Sequence, residues 1–477
     1  MSSNVVDRAK NSSVRLICRY PKSDSNVPFI KFGPLFEEDD QDFVKKAKKE
    51  AWQCVVRSSK SREAIVTEIY ISSIRQIEDK AKASYAPDSA LDKLSNKDFR
   101  DMMLKDSCLF LQLLFSLLCD EDDVKWNDFP HLKNISLNNR HKWVESMLHV
   151  GNQIPMVVLR ELLKKSYFQK IIKNGKWKEP SLDLAKKALF RVVLSPELHR
   201  QPPRWCIKFP WVGKHAHWTQ QLKECCDVLH GIHLLLLGPE IDPEKEEYDD
   251  DDDDDDDFHL EEENTGVGTN TNVDALAGGS SSTSDAGYKD KKEDGTDDDD
   301  NSNFKNVIKL KQAGVHFGTT KGGIRGIMFK SNLIFPKLYL PPLFVGAHTS
   351  LLLQRLKQYE QNLDSSLREV SSYLQFMRDL VHTTQDAKIL AFYGIIIGNR
   401  KYTEMLPTIF TGLAPHGKMI DASLNPVKTE INSFYRPPWV SSYFTIVFLL
   451  TLLAMLISIV QTVYAILAYH KPPSSSP

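Results

Sequence analysis

Residues 443–469 read YFTIVFLLTLLAMLISIVQTVYAILAY, and no Asp, Glu, Lys or Arg occurs between Arg436 and Lys471. A bilayer core of ~30 Å needs about 20 apolar helical residues, and this run exceeds that length. Fifteen of its residues are Leu, Ile, Val or Phe. At about -0.3 to -0.6 kcal/mol for each near the helix centre, insertion is favourable by several kcal/mol. Thr445, Thr451, Ser458 and Thr462 have hydroxyls that bond back to their own helix, so they do not oppose a span. Trp439, Tyr443, Tyr464 and Tyr469 stand towards the two ends, where aromatic belts form. Soluble core helices are seldom apolar on every face over such a length, so the run predicts a transmembrane helix in contact with lipid.

The remaining chain has two charge regimes. The total is 61 Lys and Arg against 63 Asp and Glu, a net charge of -2. Between Glu240 and Asp300 there are 26 acidic residues and four Lys, which leaves the rest of the chain strongly basic. This segment holds the run Asp249 to Asp257 and the stretch ENTGVGTNTNVDALAGGSSSTSD. Like charges repel and little apolar surface is there to bury, so 239–303 is expected to be a disordered acidic insertion. It reads as a solvated loop; a lure for a basic partner, a weak calcium buffer and a screen for the basic body are the functional alternatives. The first twenty residues lack an apolar stretch after a basic start, so no secretory signal is expected. Lys428 and Arg436 precede the span and Lys471 follows it. Together these predict a single-pass membrane protein with its N-terminal body in the cytoplasm. Seven cysteines, an odd number, favour free thiols in a reducing compartment.

Apolar spacing of three and four marks Ser95 to Cys119 as a helix with Ser95 as cap and Asp98 three residues on. Trp143 to Leu163 carries the same pattern, broken at Gly151-Asn152-Gln153 and restarted at Pro155. Cys225 to Leu237, Leu351 to Val381 (one helix or two) and Asp386 to Ile397 are also expected to be helical. Gly314 to Phe317 and Gly326 to Tyr339 are rich in β-branched and aromatic residues and read as short extended pieces. Leu340-Pro-Pro and Pro437-Pro-Trp predict extended chain ahead of helices. The expected class is therefore mainly α: an irregular helical body with a few short extended segments, the acidic insertion and one C-terminal transmembrane helix. Its expected parts are a flexible N-terminus 1–13, body halves 14–238 and 304–436, the span with its flanks 437–470, and a polar tail 471–477.

Catalytic constellations are present only as fragments. Cys225 and Cys226 are adjacent and would point about 100° apart on a helix, which reads as two small packed residues. His215 and His217 would share a face on a strand, but no third ligand stands near them in sequence. Gly318-Thr-Thr-Lys-Gly-Gly-Ile-Arg-Gly has the glycines of a phosphate cradle without the G-K-[ST] order. Asp106 and Cys108 are two apart on a helix and face different ways, so Cys108 reads as core. Asn152 and Gln153, at the helix break, read as amides that satisfy freed backbone groups, with ligand contact as the alternative. Lys45-Lys-Ala-Lys-Lys with Arg57, Lys60 and Arg62 reads as a solvated helix face; anionic lipid is the functional alternative. No nucleic-acid reading motif accompanies this charge, so no nucleic-acid partner is expected.

Several stretches in order resemble a known family. They are Ile17-Cys-Arg-Tyr-Pro with Val27-Pro-Phe-Ile-Lys-Phe-Gly-Pro, Phe99-Arg-Asp-Met-Met-Leu-Lys-Asp-Ser-Cys-Leu-Phe-Leu-Gln, and Gly151-Asn-Gln-Ile-Pro-Met-Val-Val-Leu. His230-Gly-Ile-His-Leu-Leu, Leu310-Lys-Gln-Ala-Gly-Val-His-Phe, Val370-Ser-Ser-Tyr-Leu-Gln-Phe-Met and Gln461-Thr-Val-Tyr continue the series. Together they resemble the plant membrane-associated family of domain of unknown function 247. The sequence departs from the pattern at Tyr20, Gln112 and Val150-Gly151, where the family has Val, Glu and Leu-Glu. The resemblance implies no established catalytic activity, a C-terminal span in many members, and a link with pollen–stigma self-incompatibility in some. On these grounds no catalytic, cofactor-binding or metal-ligating residue is assigned, and no cofactor is expected. The expected function is non-enzymatic recognition, signalling or scaffolding at a membrane. Its expected contacts are the bilayer, through 443–469, and a protein partner. The second reading is a hydrolase or transferase with dispersed residues, which requires a Cys or Ser beside a His in the folded chain.

Overall fold

The computed structural model describes residues 16–17, 28–36, 41–118, 132, 141–174, 220–222, 224–239, 304–320, 322–331, 336–414, 424–435 and 438–470. The acidic segment from 240 to 303, the His215 and His217 pair, residues 1–13 and the tail 471–477 lie outside them.

The first half is built on α1 (Asp42–Ser58), α2 (Glu63–Ala83) and α3 (Asn96–Leu118). Ser95 caps α3 as expected: its Oγ accepts from the Asp98 N–H at 3.1 Å and donates to the Asp98 carboxylate at 2.6 Å. The inward face of α3 carries Phe99, Met103, Phe110, Leu113 and Leu114, all buried. Both α1 and α2 pack on it. Next comes α4 (141–148), which ends where Gly151 takes the left-handed φ of 82°. The chain restarts as α5 (Met156–Leu163), with Pro155 at the N-cap, followed by α6 (Ser166–Asn174). The break and restart therefore stand where the sequence places them.

Four expectations are corrected. The stretch from Cys225 becomes helical only at α7 (Val228–Leu237), because the Asp227 side chain caps it by accepting the His230 N–H. Cys225 and Cys226 thus precede the helix. After α8 (Val307–Gln312) comes β1 (His316–Thr319), so the extended piece expected to end at Phe317 runs on to Thr319. Then follow β2 (Met328–Lys330), β3 (Lys337–Leu340) and β4 (Leu343–Val345), so a strand intervenes between Leu340-Pro-Pro and the next helix. The segment expected as one helix from Asp386 to Ile397 splits. The helical part starts earlier, as α11 (Thr384–Phe392), because Thr383 and Asp386 form a capping box. It stops at Phe392, Gly394 turns at a φ of 68°, and the β-branched run Ile395-Ile396-Ile397 enters β5 (Ile396–Gly398). Leu351 to Val381 forms two helices, α9 (Thr349–Gln361) and α10 (Glu369–Leu380).

β3 pairs in parallel with β1 and antiparallel with β2, while β4 pairs in parallel with β5. α12 (Arg400–Leu413) packs on α10 and α11, and α13 (Asn425–Phe434) packs on β2. Residues from both sides of the acidic segment share one hydrophobic core. Beyond it runs α14 (Pro438–His470). Its apolar window Ile446–Leu467 has 22 residues and a mean hydropathy of 2.5, and none of the window is buried. At 1.5 Å per residue that window is about 33 Å long, enough for a bilayer core. Thr451 and Thr462 donate to Phe448 O and Ser458 O, satisfying their hydroxyls within the helix.

The non-helical segment 28–36 is held inside the first half by side chains. Asn152 Oδ1 accepts the Phe32 N–H at 2.6 Å, and Nδ2 donates to Ile30 O and Ser146 O, both at 2.8 Å. Ser146 Oγ accepts the Ile30 N–H, and Asp106 Oδ2 accepts the Gly33 N–H at 2.9 Å. The other oxygen of Asp106 meets Lys48 Nζ at 2.7 Å. Gly33 has a φ of 73°, and a Cβ there would lie 2.7 Å from the Tyr85 hydroxyl. Gln153 Nε2 ties Met147 O and His149 O, and its own carbonyl accepts from Tyr85.

Asn152→Ala would remove the side-chain partner of the buried Phe32 N–H and Ile30 O and is expected to destabilise the body by about 2 kcal/mol or more, read by chemical denaturation. A second prediction concerns Glu78, which is 6 % exposed and meets Lys82 at 3.0 Å and Arg100 at 2.7 Å. Burial would raise its carboxyl, but the hydrogen bonds and charges of Lys82 and Arg100 outweigh that and hold it below the usual value. A lowered folded value stabilises above the unfolded value of about 4.3 and is lost as pH falls through the folded one. Glu78→Gln should therefore weaken the fold by about 1–3 kcal/mol at pH 7, and the gap from the unsubstituted protein should close below about pH 4.

Candidate functional site

The polar groups of highest chemical content gather along α7, which joins the two halves. At its N-terminal end, the carbonyl of Cys226 accepts the Met156 N–H at 2.6 Å, the first N–H after Pro155 in the first half. At mid-helix, His233 Nε2 lies 2.8 Å from Glu360 Oε1 on α9, and both side chains have no exposed surface. A carboxylate only accepts, so Nε2 carries the hydrogen of this bond. Glu360 also accepts from the N–H of Val370 (2.7 Å), the N–H of Ser371 (2.7 Å) and Ser371 Oγ (2.8 Å). Its charge thus sits at the N-terminus of α10, where the first N–H groups have no helical partner and the helix dipole favours an anion. The same residue fixes three helices, and its donors surround it so fully that it is a structural anchor.

At the C-terminal end of α7, the glycines of the cradle-like loop have a packing role. Gly323 has a φ of 65°, and a Cβ on it would lie 2.6 Å from Leu237 O and 2.8 Å from the Gly238 N. A Cβ on Gly238 would run into Gly322 O. Gly238 and Gly323 therefore let the loop backbone touch the end of α7. Arg325 completes the joint, with a forked pair of bonds to Glu369 at 2.6 and 2.8 Å and a third to Gly238 O at 3.4 Å.

Cys226 and His230, four residues apart, come together at the start of α7. Cys226 Sγ lies 3.1 Å from His230 Nδ1 and 3.1 Å from Asp227 Oδ2, and the Cys226 N–H also meets Nδ1 at 3.1 Å. The His230 ring stacks on Tyr359 at 6.0 Å, and His233 approaches the same ring at 5.2 Å. Cys225, next in the chain, points inward. Burial pushes its thiol up to about 11 against the opposing pull of Arg160. Cys108 is buried as expected, with its thiol likewise raised by burial. Asp106 stands apart from it, in its ion pair with Lys48. That pair also corrects the reading of the basic stretch: Lys45 and Lys49 face solvent, while Lys48 turns inward. Gln112 is fully buried and donates to Ala51 O at 2.8 Å, a bond that an ionised Glu at this position does not make. Among the described residues, no group of three or more His, Cys, Asp or Glu is placed to hold a metal ion.

Glu360→Gln preserves shape but replaces one accepting oxygen with a donor facing donors. It is expected to cost about 3–5 kcal/mol, measured by chemical denaturation of the full chain in detergent.

A putative UPF0481 protein of Arabidopsis thaliana is 23% identical over 135 residues, which is 28% of this chain and 25% of the relative. The chain thus spans about a quarter of the length of that curated relative. No solved structure matches. The family described as plant protein of unknown function, DUF247, matches residues 24–469, which takes in both body halves and the apolar helix. The chain belongs to this DUF247 family of plant proteins of unknown function.

Proposed function

We propose that the protein is a single-pass, membrane-tethered recognition or scaffolding protein, that its body faces the cytoplasm, and that it acts by contact with a protein partner. The observation that carries the reading is the helix window Ile446–Leu467, apolar on every side and unburied. An unburied apolar surface of that length is stable in lipid and not in water. The buried carboxylates described above, Asp106, Glu78 and Glu360, are engaged in holding helices together, which suits a contact protein better than a catalyst. Lys428 and the Arg436 position precede the span, which supports a cytoplasmic body. Recognition draws on the association of some family members with self-incompatibility. A hydrolase or transferase remains the second reading, favoured by one observation, the Cys226 and His230 contact.

The full-length protein is expected to stay with membranes through alkaline carbonate extraction, and a chain ending at residue 436 to leave them. A reporter at the N-terminus should be open to protease in intact microsomes, and one at the C-terminus shielded. Release of the full-length protein by carbonate would overturn the tether; a shielded N-terminal reporter would overturn the orientation alone.

A further inference from the structure

We propose that α14 pairs in parallel with α14 of a second copy of this chain, and that Gln461 and Ser458 hold the pair together. The inference rests on the membrane-tethered reading above and names a partner for it. Gln461 is a strongly polar residue within the window Ile446–Leu467. At 1.5 Å per residue it stands about 7 Å from the middle of that window, inside a hydrocarbon half-thickness of ~15 Å. Its carboxamide has an accepting oxygen and a donating NH2 group. Among the described residues none bonds to it, and none of the window is buried against the body. Ser458 Oγ has no partner either, whereas Thr451 and Thr462 donate their hydroxyls to Phe448 O and Ser458 O of their own helix. Lipid tails offer neither donor nor acceptor at that depth, so a polar group there is answered by protein or left costly.

The residues around these two fit a neighbouring helix. The window holds six Ala, Ser, Thr and Gln residues, and five of them, Thr451, Ala454, Ser458, Gln461 and Ala465, recur at steps of three and four. That spacing sets them on one face, with Leu452, Leu456 and Val463 on the opposite side. Small side chains let two backbones approach closely, and alternating steps of three and four are the period of a left-handed helix pair. Lipid covers Leu and Val as well as another helix does, so the polar face is the one that favours protein contact. Depth and direction then select the occupant. Copies of one single-pass chain cross the membrane in the same orientation, so their Gln461 residues stand at the same depth. Across a two-fold axis each carboxamide donates to the other's oxygen and accepts from the other's NH2 group, an isologous contact in which one residue answers both needs. A helix of any other protein would need its own polar group at that depth on its own small-residue face.

The test uses the full chain carrying a donor or an acceptor fluorophore after residue 477, the two forms reconstituted together into phosphatidylcholine vesicles. Flotation reports insertion, and energy transfer is followed as lipid dilutes the protein. Transfer is expected to exceed that of random proximity and to rise linearly with the acceptor fraction, as it does for pairs. Gln461→Leu should lower the dilution at half-maximal transfer at least fivefold, and Gln461→Asn should keep most of it. Leu456→Ala, on the far side of the helix, should change it less than twofold. A chain that does not float with the vesicles would overturn the tether and the pairing together. A chain that floats yet transfers no more than random proximity predicts, which leaves the face to a different membrane protein, would overturn the pairing alone. So would a curved dependence on acceptor fraction, or a Gln461→Leu variant that floats and pairs as well as the parent.

Discussion

The body depends on keeping a stretch of irregular backbone dry. Residues 28–36 form neither helix nor strand, yet Ile30, Phe32 and Leu35 are buried. Their peptide groups cannot satisfy one another, and each buried polar group without a partner costs about 1–3 kcal/mol. Asp106 on α3, Ser146 on α4 and the Asn152 carboxamide in the break after α4 answer that demand. The break is thus a working part of the fold: Gly151 turns the chain so that Asn152 faces the segment, and Pro155 opens the next helix where a missing N–H is harmless. Phe32 then meets Phe110 edge-on at 5.1 Å, which joins the pinned segment to the apolar core.

A second set of constraints lies along α7, which closes the first half and, besides the rings stacked on Tyr359, meets the second in two contacts described above. Glu360 and His233 make one contact and the glycine pair with Arg325 the other. The two differ in kind. The first is electrostatic and tolerates no change of charge, whereas the second is steric and tolerates no added carbon. Separate demands of this sort fix both the rotation and the height of a helix, so the catalytically suggestive residues at its start inherit a fixed position.

Much of the helical frame was legible because it follows from local rules. The Ser95 cap, the spacing from Phe99 to Leu114, the halt at Gly151 and the apolar tail all depend on neighbours within a few positions. The misreadings share another cause. The helix expected from Asp386 starts at Thr384 because Thr383 caps it, and Ile396 leaves the helix because it pairs with a strand partner, Leu343, that lies far away in sequence. The role of Asn152 was half legible: bonding to the broken helix could be inferred, but the bonds to Ile30 and Phe32 span about 120 residues. Lys48 looked solvated for the same reason, its partner Asp106 being on another helix. The contact of Cys226 with His230 is only four residues long, a spacing that also sets two side chains side by side on a helix, so it is legible from the sequence.

The junction between α13 and α14 sets a short leash. α13 ends at Phe434 and α14 starts at Pro438, and the apolar window opens eight residues later, at Ile446. The three intervening residues can reach at most about 10 Å, and two more helical turns add roughly 12 Å. With α14 in a bilayer, as proposed, a globule on so brief a stalk does not leave the membrane surface. It meets only what shares its sheet of lipid or comes to that sheet, so its encounters follow surface density, and two such molecules in one patch of membrane face each other at far higher local concentration than their cellular abundance implies.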